Sequence, residues 1–335
     1  MKKLSTAVAA LLCAVSVVSA KDWLGANSTH FVEVGNAGNS AESETKYGAV
    51  DHNYSIGKYE VSNAQYAKFM NAVGGNSVDV NGTGVKLYGG FDTSSSYAKF
   101  SLIEQNASGN GFTVASGKEN YAVNFISAFG AAMYCNWLTN GAPETATAND
   151  ILCGTYDFVK FGATVDVFKT ENVNTDGTYR LPTVDEWFKA AYYDPETGAY
   201  SVYATASDTI STDMANYNNR NGGTENVKQY EMYPSFYGTL NQAGNVIEFV
   251  MDINESDRIG TMGGGFYSSM YAIKSGASVV YLLPDSTTGR ANGFRLAYSA
   301  PSVPEPAEYA AIFGAIAIAF ALKRKAVALT ARRGK

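Results

Sequence analysis

The chain has 335 residues, a formal net charge of −6 and only 2 histidines, which argues against a nucleic-acid-binding surface and against a histidine-built metal centre. Its 33 glycines and 23 tyrosines, set among long stretches of Asn, Ser and Thr, are typical of a loop-rich mixed domain with few long helices.

The first twenty residues have the order of a bacterial secretion signal. Lys2 and Lys3 are followed by a small apolar run over residues 7–18, and Val18-Ser19-Ala20 supplies the small side chains of a cleavage site. The apolar run is too short to span a bilayer. We therefore predict a signal peptide over residues 1–20 and an exported mature protein that begins near Lys21.

Residues 21–300 are expected to form one folded unit of about 280 residues, long enough for one large or two small domains. Of the 25 basic and 31 acidic residues, 2 basic ones lie in the signal, and 6 basic and 2 acidic ones lie beyond residue 300. The unit thus keeps 17 basic and 29 acidic side chains, a net charge of −12. Its only cysteines are Cys135 and Cys153, for which a disulfide and two separate thiols both remain possible.

The first part of this unit alternates between strand and helix patterns. Residues 31–35 and 54–61 have the short alternation of strands. Ser62 and Gln65 then have the spacing of a capping box, which predicts a helix whose buried face carries Tyr66, Phe69, Met70 and Val73. Residues 74–120, rich in Gly, Ser and Asn, are interpreted as an inserted loop region with short strands.

Two further helices are predicted downstream. One begins at Ser127 and ends before Gly141, a residue suited to the left-handed position after a helix. The other begins at a second capping box, Thr183 with Glu186, and ends at the Asp194-Pro195 turn. No internal repeat and no linker divides the unit, so we predict a single domain over residues 21–300.

The C-terminal residues 301–335 have a different composition. Val303-Pro304-Glu305-Pro306 precedes an apolar stretch over residues 309–322, and the cluster Lys323-Arg324-Lys325 follows. About 14 residues rising ~1.5 Å each fall short of a ~30 Å hydrocarbon core. The order resembles the PEP-CTERM sorting signal of Gram-negative envelope proteins, although such tails usually stop sooner than Lys335. The resemblance implies a short transmembrane sorting helix and processing by an exosortase; a plain membrane anchor is the alternative.

Five blocks of sequence, in order, resemble the formylglycine-generating enzyme, or sulfatase-modifying factor, family. They are residues 56–71, 131–138, 179–187, 238–249, and 263–266 together with 293–295. The likeness spans about residues 30–298. It implies an α+β fold related to C-type lectins, irregular and rich in loops, as a single domain followed by the terminal sorting helix.

The resemblance also indicates which chemistry is missing. Enzymes of the family hold copper between two thiolates, and at the matching positions this chain has Ser268 and Ile273. Cu(I) prefers soft sulfur ligands, which neither side chain supplies. We therefore expect no copper and no formylglycine synthesis.

The same resemblance implies a structural calcium site at Asn241, Gly244, Val246 and Glu248, which offer the oxygen donors that Ca²⁺ takes. The alternative is a tight turn with Glu248 in a salt bridge. Arg295, Trp137 and Trp187 are interpreted as structural core residues. The tyrosines at 192, 193, 200 and 203 are considered as surface platforms for sugars.

Together these patterns predict an exported envelope protein whose domain is a noncatalytic binding or structural module at the cell surface or in the extracellular matrix. Its expected partners are an exosortase and an exopolysaccharide or another envelope protein. Nucleic acid is excluded, and contact with the membrane is limited to the C-terminal tail. The alternative is an enzyme of the sulfatase-modifying factor superfamily with a different activity.

Overall fold

The computed structural model describes residues 30–287 and 289–299, which lie in one compact unit. The predicted signal peptide (1–20) and sorting tail (301–335, with its apolar stretch 309–322) are outside the described residues. Within the described ranges, no helix has the length and hydropathy needed to cross a bilayer.

Twelve short strands and five α-helices make up the regular structure of the described residues. The strands are β1 Phe31–Val34, β2 Tyr54–Gly57, β3 Ser77–Val80, β4 Thr83–Lys86, β5 Ile103–Gln105, β6 Phe112–Val114, β7 Tyr179–Arg180, β8 Ile247–Ile253, β9 Ile259–Met262, β10 Val280–Leu282, β11 Asn292–Gly293 and β12 Ala297–Tyr298. The helices are α1 Asn63–Val73, α2 Ala128–Thr139, α3 Ala148–Leu152, α4 Phe158–Phe161 and α5 Val184–Tyr192. This is the α+β, loop-rich class that the sequence predicts.

Two four-stranded sheets organise the domain. The first has the order β1-β2-β12-β7, so the last strand pairs antiparallel with β2 near the start of the unit. The second has the order β10-β9-β8-β11, and β11 runs parallel to β8 with Gly293 opposite Glu248. The short connection from β11 to β12 therefore passes from one sheet to the other, and it carries Arg295.

The predicted helix caps are confirmed. Ser62 and Gln65 form a capping box on α1, and Thr183 and Glu186 form another on α5. α2 begins after Ser127, whose hydroxyl accepts a hydrogen bond from the Gly130 amide. These side chains satisfy amides that the first turn of a helix leaves without backbone partners.

Helix α2 is buried on all sides. All its residues from Ala128 to Leu138 are buried, because α1, α3, β7 and, from the inserted region 74–120, β4 pack against it. That region forms the hairpins β3–β4 and β5–β6, and Leu87 and Phe112 join the main core beside Trp137. Cys135 lies in this core and Cys153 lies at the end of α3, both as free thiols.

Candidate functional site

The glycine-rich turn after β9 brings Ser268 and Ile273 together. Gly264 adopts a positive φ of 63°, which favours glycine. A Cβ atom at Gly264 would lie 2.7 Å from Ile273 Cγ2 and 3.1 Å from Ser268 Oγ. The two positions singled out by the resemblance are therefore neighbours in space, on either side of one glycine.

Neither side chain at these positions offers a soft ligand. The Ser268 hydroxyl accepts a hydrogen bond from the Gly265 amide at 3.0 Å, which fixes it within the turn. Ile273 is fully buried and packs in a core cluster with Trp187 and Tyr192. The adjoining cavity has a volume of about 80 Å³, below the roughly 300 Å³ at which ligand pockets begin.

The predicted calcium residues lie in a loop of left-handed residues that leads into β8. Asn241 and Gly244 have φ values of 63° and 105°. A Cβ at Gly244 would lie 2.3 Å from the Asn216 carbonyl oxygen, so the close backbone approach requires glycine. Val246, just before β8, is fully buried.

Glu248 is fully buried and bonded to two side chains. Its Oε2 accepts hydrogen bonds from Arg295 Nε at 2.5 Å and Trp187 Nε1 at 2.7 Å, and its Oε1 accepts one from Arg295 Nη2 at 2.7 Å. Arg295 also donates to the carbonyls of Gly57 and Leu240 at 2.8 Å. The arginine thus ties β2 of the first sheet to β8 of the second, and its interpretation as a structural residue is confirmed.

A second buried carboxylate, Glu60, belongs to the same cluster. Its Oε2 accepts from Asn241 Nδ2 at 2.9 Å, and its Oε1 accepts from Asn245 Nδ2 at 2.8 Å. Burial raises the pKa of Glu60 to about 7, and the charge of Glu248 adds to that rise while Arg295 opposes it. Glu60 was not identified as a site residue from the sequence. In the alternating pattern of this segment, Glu60 has the same even-numbered position as the buried residues Tyr54 and Ile56.

The side chains of this cluster fit a cation. Asn241 Oδ1 is buried and has no hydrogen-bond partner among the described residues. Among the described residues, Glu248 Oε1 accepts one of the two bonds that a carboxylate oxygen can take. Two carboxylates, Glu60 and Glu248, face a single guanidinium. A hard cation would complete both the donor set and the charge balance.

A cavity of about 390 Å³ lies next to this cluster. Glu60, Tyr59 and Lys228 are part of its lining, together with Ser62 and Gln65 from the start of α1. Glu60 is only 3% exposed, so the cavity is its route to solvent. A cation or a proton has a path to the cluster from this side.

A separate buried pair joins β7 to α5. Arg180 Nη1 and Nη2 each lie 2.6 Å from an oxygen of Glu186, whose Oε1 is also 3.0 Å from His52 Nε2. Burial would raise the pKa of Glu186, but the charge of Arg180 and the hydrogen bonds from His52, Arg180 and the Thr183 amide together outweigh it, and the pKa falls to about 2. The hydrogen bond between His52 and Glu186 also raises the pKa of His52.

The tyrosines considered as sugar platforms are mostly core residues, which corrects that interpretation. Tyr192, Tyr193 and Tyr203 are 1%, 8% and 5% exposed; Tyr192 and Tyr203 belong to the core cluster around Trp187, and Tyr193 packs against Tyr200. Trp137 and Trp187 are fully buried, as predicted. The exposed aromatic side chains lie elsewhere, at Tyr97, Tyr233, Phe236, Tyr267 and Tyr271.

Comparisons with known proteins agree with this architecture. The sulfatase-modifying factor enzyme 1-like domain, also described as FGE-sulfatase, matches residues 23–300. Treponema denticola variable protein 1 is similar in structure, with a TM-score of 0.51 and 18% identity over 80% of this chain and 94% of that one.

Two further structures are similar at lower scores. CarF gives a TM-score of 0.49 at 17% identity, over 81% of this chain and 98% of that one. PvdO from Pseudomonas aeruginosa gives 0.45 at 13% identity, over 80% and 93%. No curated protein matches the sequence.

Proposed function

The chain belongs to the family of the sulfatase-modifying factor enzyme 1-like domain, and from that premise we propose that it is a noncatalytic member, a binding or structural module of the cell envelope. Its ligand is a matrix polysaccharide or another envelope protein. The net charge of −12 over residues 21–300 disfavours nucleic acid as a partner.

One observation carries the noncatalytic assignment. Ser268 and Ile273 flank Gly264, at the positions where the family's copper enzymes place thiolates. The hydroxyl of Ser268 is engaged by a backbone amide, and Ile273 is packed into the core. The described cysteines, Cys135 and Cys153, lie in and after the helical region formed by α2 and α3. Copper-dependent oxidation of a substrate cysteine has no ligand pair at this place.

The proposed location of the module follows from the two ends of the sequence. Residues 1–20 direct export, and residues 301–335 are recognised by an exosortase, with 309–322 as the short membrane segment. Intact-mass measurement of envelope protein should show a chain that begins near Lys21 and lacks the residues beyond Pro306, 309–335 included. Retention of those residues would favour a plain membrane anchor.

Calcium is the cofactor proposed for the module. Asn241 Oδ1 and Glu248 Oε1 would be side-chain ligands, and Gly244 and Val246 would supply backbone carbonyls. Support comes from the unpartnered Asn241 oxygen and from the two carboxylates that share one arginine. A bound Ca²⁺ would supply positive charge and fix the loop against β8.

The catalytic question is tested with a cysteine peptide of sulfatase type. We expect no aldehyde from the full-length wild-type protein, with or without copper. The double variant Ser268→Cys/Ile273→Cys places two thiols across Gly264 and should bind Cu(I), detected by thiolate-to-copper absorption, which the wild type lacks. Aldehyde formed by the wild type in proportion to its concentration would contradict the noncatalytic assignment.

A further inference from the structure

An arginine side chain lies between two tyrosine rings on the surface of the domain. The Arg290 guanidinium carbon is 4.4 Å from the ring centroid of Tyr97 and 4.1 Å from that of Tyr267. Tyr97 and Tyr267 are 41% and 37% exposed. We call these three residues the tyrosine–arginine stack.

The stack is held in place by the surrounding chain. The carbonyl of Arg290 accepts a hydrogen bond from Asn124 Nδ2 at 2.9 Å. Phe100 and Phe266, which neighbour the two tyrosine-bearing segments, pack with ring centroids 5.3 Å apart. The guanidinium is thus positioned before any ligand arrives, which lowers the entropy cost of binding.

Apart from the aromatic rings beside it, the guanidinium has no acidic partner among the described residues. Arg290 Nε is buried and has no hydrogen-bond partner within residues 30–287 and 289–299. No carboxylate of these residues forms a salt bridge with it, unlike Arg180, Arg220 and Arg295. A planar guanidinium with open donors is suited to two parallel hydrogen bonds with a carboxylate.

The surroundings of the stack specify more than a simple anion. Lys99, 5.1 Å from the ring centroid of Phe100, adds a second positive charge. Tyr271, four positions after Tyr267 on the turn Met270–Ala272, is 71% exposed. Tyrosine rings offer apolar faces and a polar edge, which match the C–H face and the hydroxyl groups of a sugar.

Charge decides what kind of anionic sugar fits. The domain carries a net charge of −12 over residues 21–300, so a densely charged polymer is repelled before it reaches two basic side chains. A mostly neutral chain with an occasional carboxylate avoids that repulsion and still satisfies Arg290.

We propose that the tyrosine–arginine stack binds a uronic acid residue of an otherwise neutral polysaccharide, with the carboxylate on Arg290 and sugar rings against the tyrosines. This assignment rests on the proposed binding role and names the class of its ligand. The formylglycine assay described above tests the noncatalytic role independently, so failure of one does not imply failure of the other.

Calorimetric titration of the full-length protein in detergent micelles, at the same calcium concentration for every probe, tests the assignment. The probes are a xylo-oligosaccharide bearing one glucuronic acid, neutral xylotetraose and tetraglutamate. We expect the glucuronate-bearing oligosaccharide to bind at least about tenfold more tightly than either of the others. Absence of binding, or equal affinity for xylotetraose or tetraglutamate, would overturn the proposal.

Variants locate the site. Arg290→Gln should weaken binding at least about tenfold, because it removes the charge and the bidentate geometry. The matched control is Arg258→Gln, which makes the same change at an exposed arginine in the turn between β8 and β9 and should leave affinity unchanged. Tyr97→Leu, at an exposed position, should weaken binding several-fold and reports on the site if Arg290→Gln unfolds. Unchanged affinity in both stack variants would show that the sugar binds elsewhere.

Discussion

Two buried arginine–carboxylate pairs hold the domain together, and they differ in charge balance. At the first, Arg180 meets Glu186, and the half-exposed His52 contacts the same carboxylate from the solvent side. At the second, Arg295 meets Glu248 with both side chains fully buried, and another buried carboxylate, Glu60, is close by.

The difference appears in the pKa values. At the first pair burial would raise the pKa of Glu186, but the charge of Arg180 together with the hydrogen bonds from His52, Arg180 and the Thr183 amide lowers it to about 2. At the second, burial raises the pKa of Glu60 to about 7, because one arginine cannot stabilise two carboxylates fully. The first pair is complete in itself, whereas the second has an excess of acidic groups that a cation would balance. A buried arginine–carboxylate pair is thus a structural contact at Arg180–Glu186 and part of a proposed ion site at Arg295–Glu248.

Removing each arginine should give the largest effects. Arg295→Met leaves Glu248 buried without its partner and should lower the free energy of unfolding by about 3–5 kcal/mol. Arg180→Met should cost less, because the half-exposed His52 beside Glu186 can be protonated and supply positive charge, whereas Glu248 would keep only the neutral Trp187 donor. Urea unfolding of both variants at neutral pH measures the difference. Equal losses, or a larger loss for Arg180→Met, would mean that charge balance does not distinguish the two pairs.

Acid should destabilise the first pair over a defined range. The pKa of Glu186 is about 2 when folded and ordinarily about 4.5. The unfolded chain therefore binds more protons between these values, and stability present above pH 4.5 is lost as the pH falls toward 2. A difference of this size corresponds to about 3 kcal/mol. Glu186→Gln should be less stable at neutral pH and should lack this part of the acid dependence. Parallel pH profiles of urea unfolding for the two proteins would contradict the prediction.

Calcium should stabilise the folded domain by binding at the second pair, Arg295–Glu248, and the first pair, Arg180–Glu186, should not contribute to this effect. With a dissociation constant near ~10⁻⁴ M, ~1 mM calcium adds about 1.4 kcal/mol, or about 3–5 °C in Tm. Magnesium should do much less, since it requires a tighter octahedral shell. Asn241→Ala should abolish the shift.

Asn124→Ala is the matched control for that experiment. Asn124 is buried like Asn241, donates twice through Nδ2 and has an Oδ1 without a hydrogen-bond partner among the described residues, but it is not one of the proposed ligands. Its variant should keep the calcium-dependent shift. Coincident wild-type melting curves in calcium, magnesium and EDTA would show that the loop at Asn241 is only a turn.

The smallest effect is expected at His52. Its contact with Glu186 raises its pKa, so the folded state holds the proton more tightly and gains stability below the ordinary pKa of 6.5. This gain is lost as the pH rises through the folded-state value. Because the side chain is 50% exposed, the contribution should stay below about 1 kcal/mol. His52→Gln should remove this slope near neutral pH, as measured by urea unfolding; an unchanged slope would assign it to another group.

The sequence by itself determined the local structure. Capping boxes at Ser62 and Thr183 and the apolar spacing after them predict α1 and α5, because helix ends and faces depend on residues three or four positions apart. The burial of Trp137, Trp187 and Arg295 was predicted as well. The tyrosines at 192, 193 and 203 were misjudged because burial depends on what packs over a side chain.

Only the tertiary structure decided which distant residues meet. Glu60 and Asn241 are 181 positions apart, and Glu248 and Arg295 are 47 apart, yet each pair is in hydrogen-bond contact. These contacts exist because β11 pairs with β8 while β12 pairs with β2, which carries the connecting arginine from one sheet to the other. The stacking of Tyr97 and Tyr267 on Arg290 has the same origin. Periodicity within a segment contains no information about such pairings, since they are set by the packing of whole strands and loops.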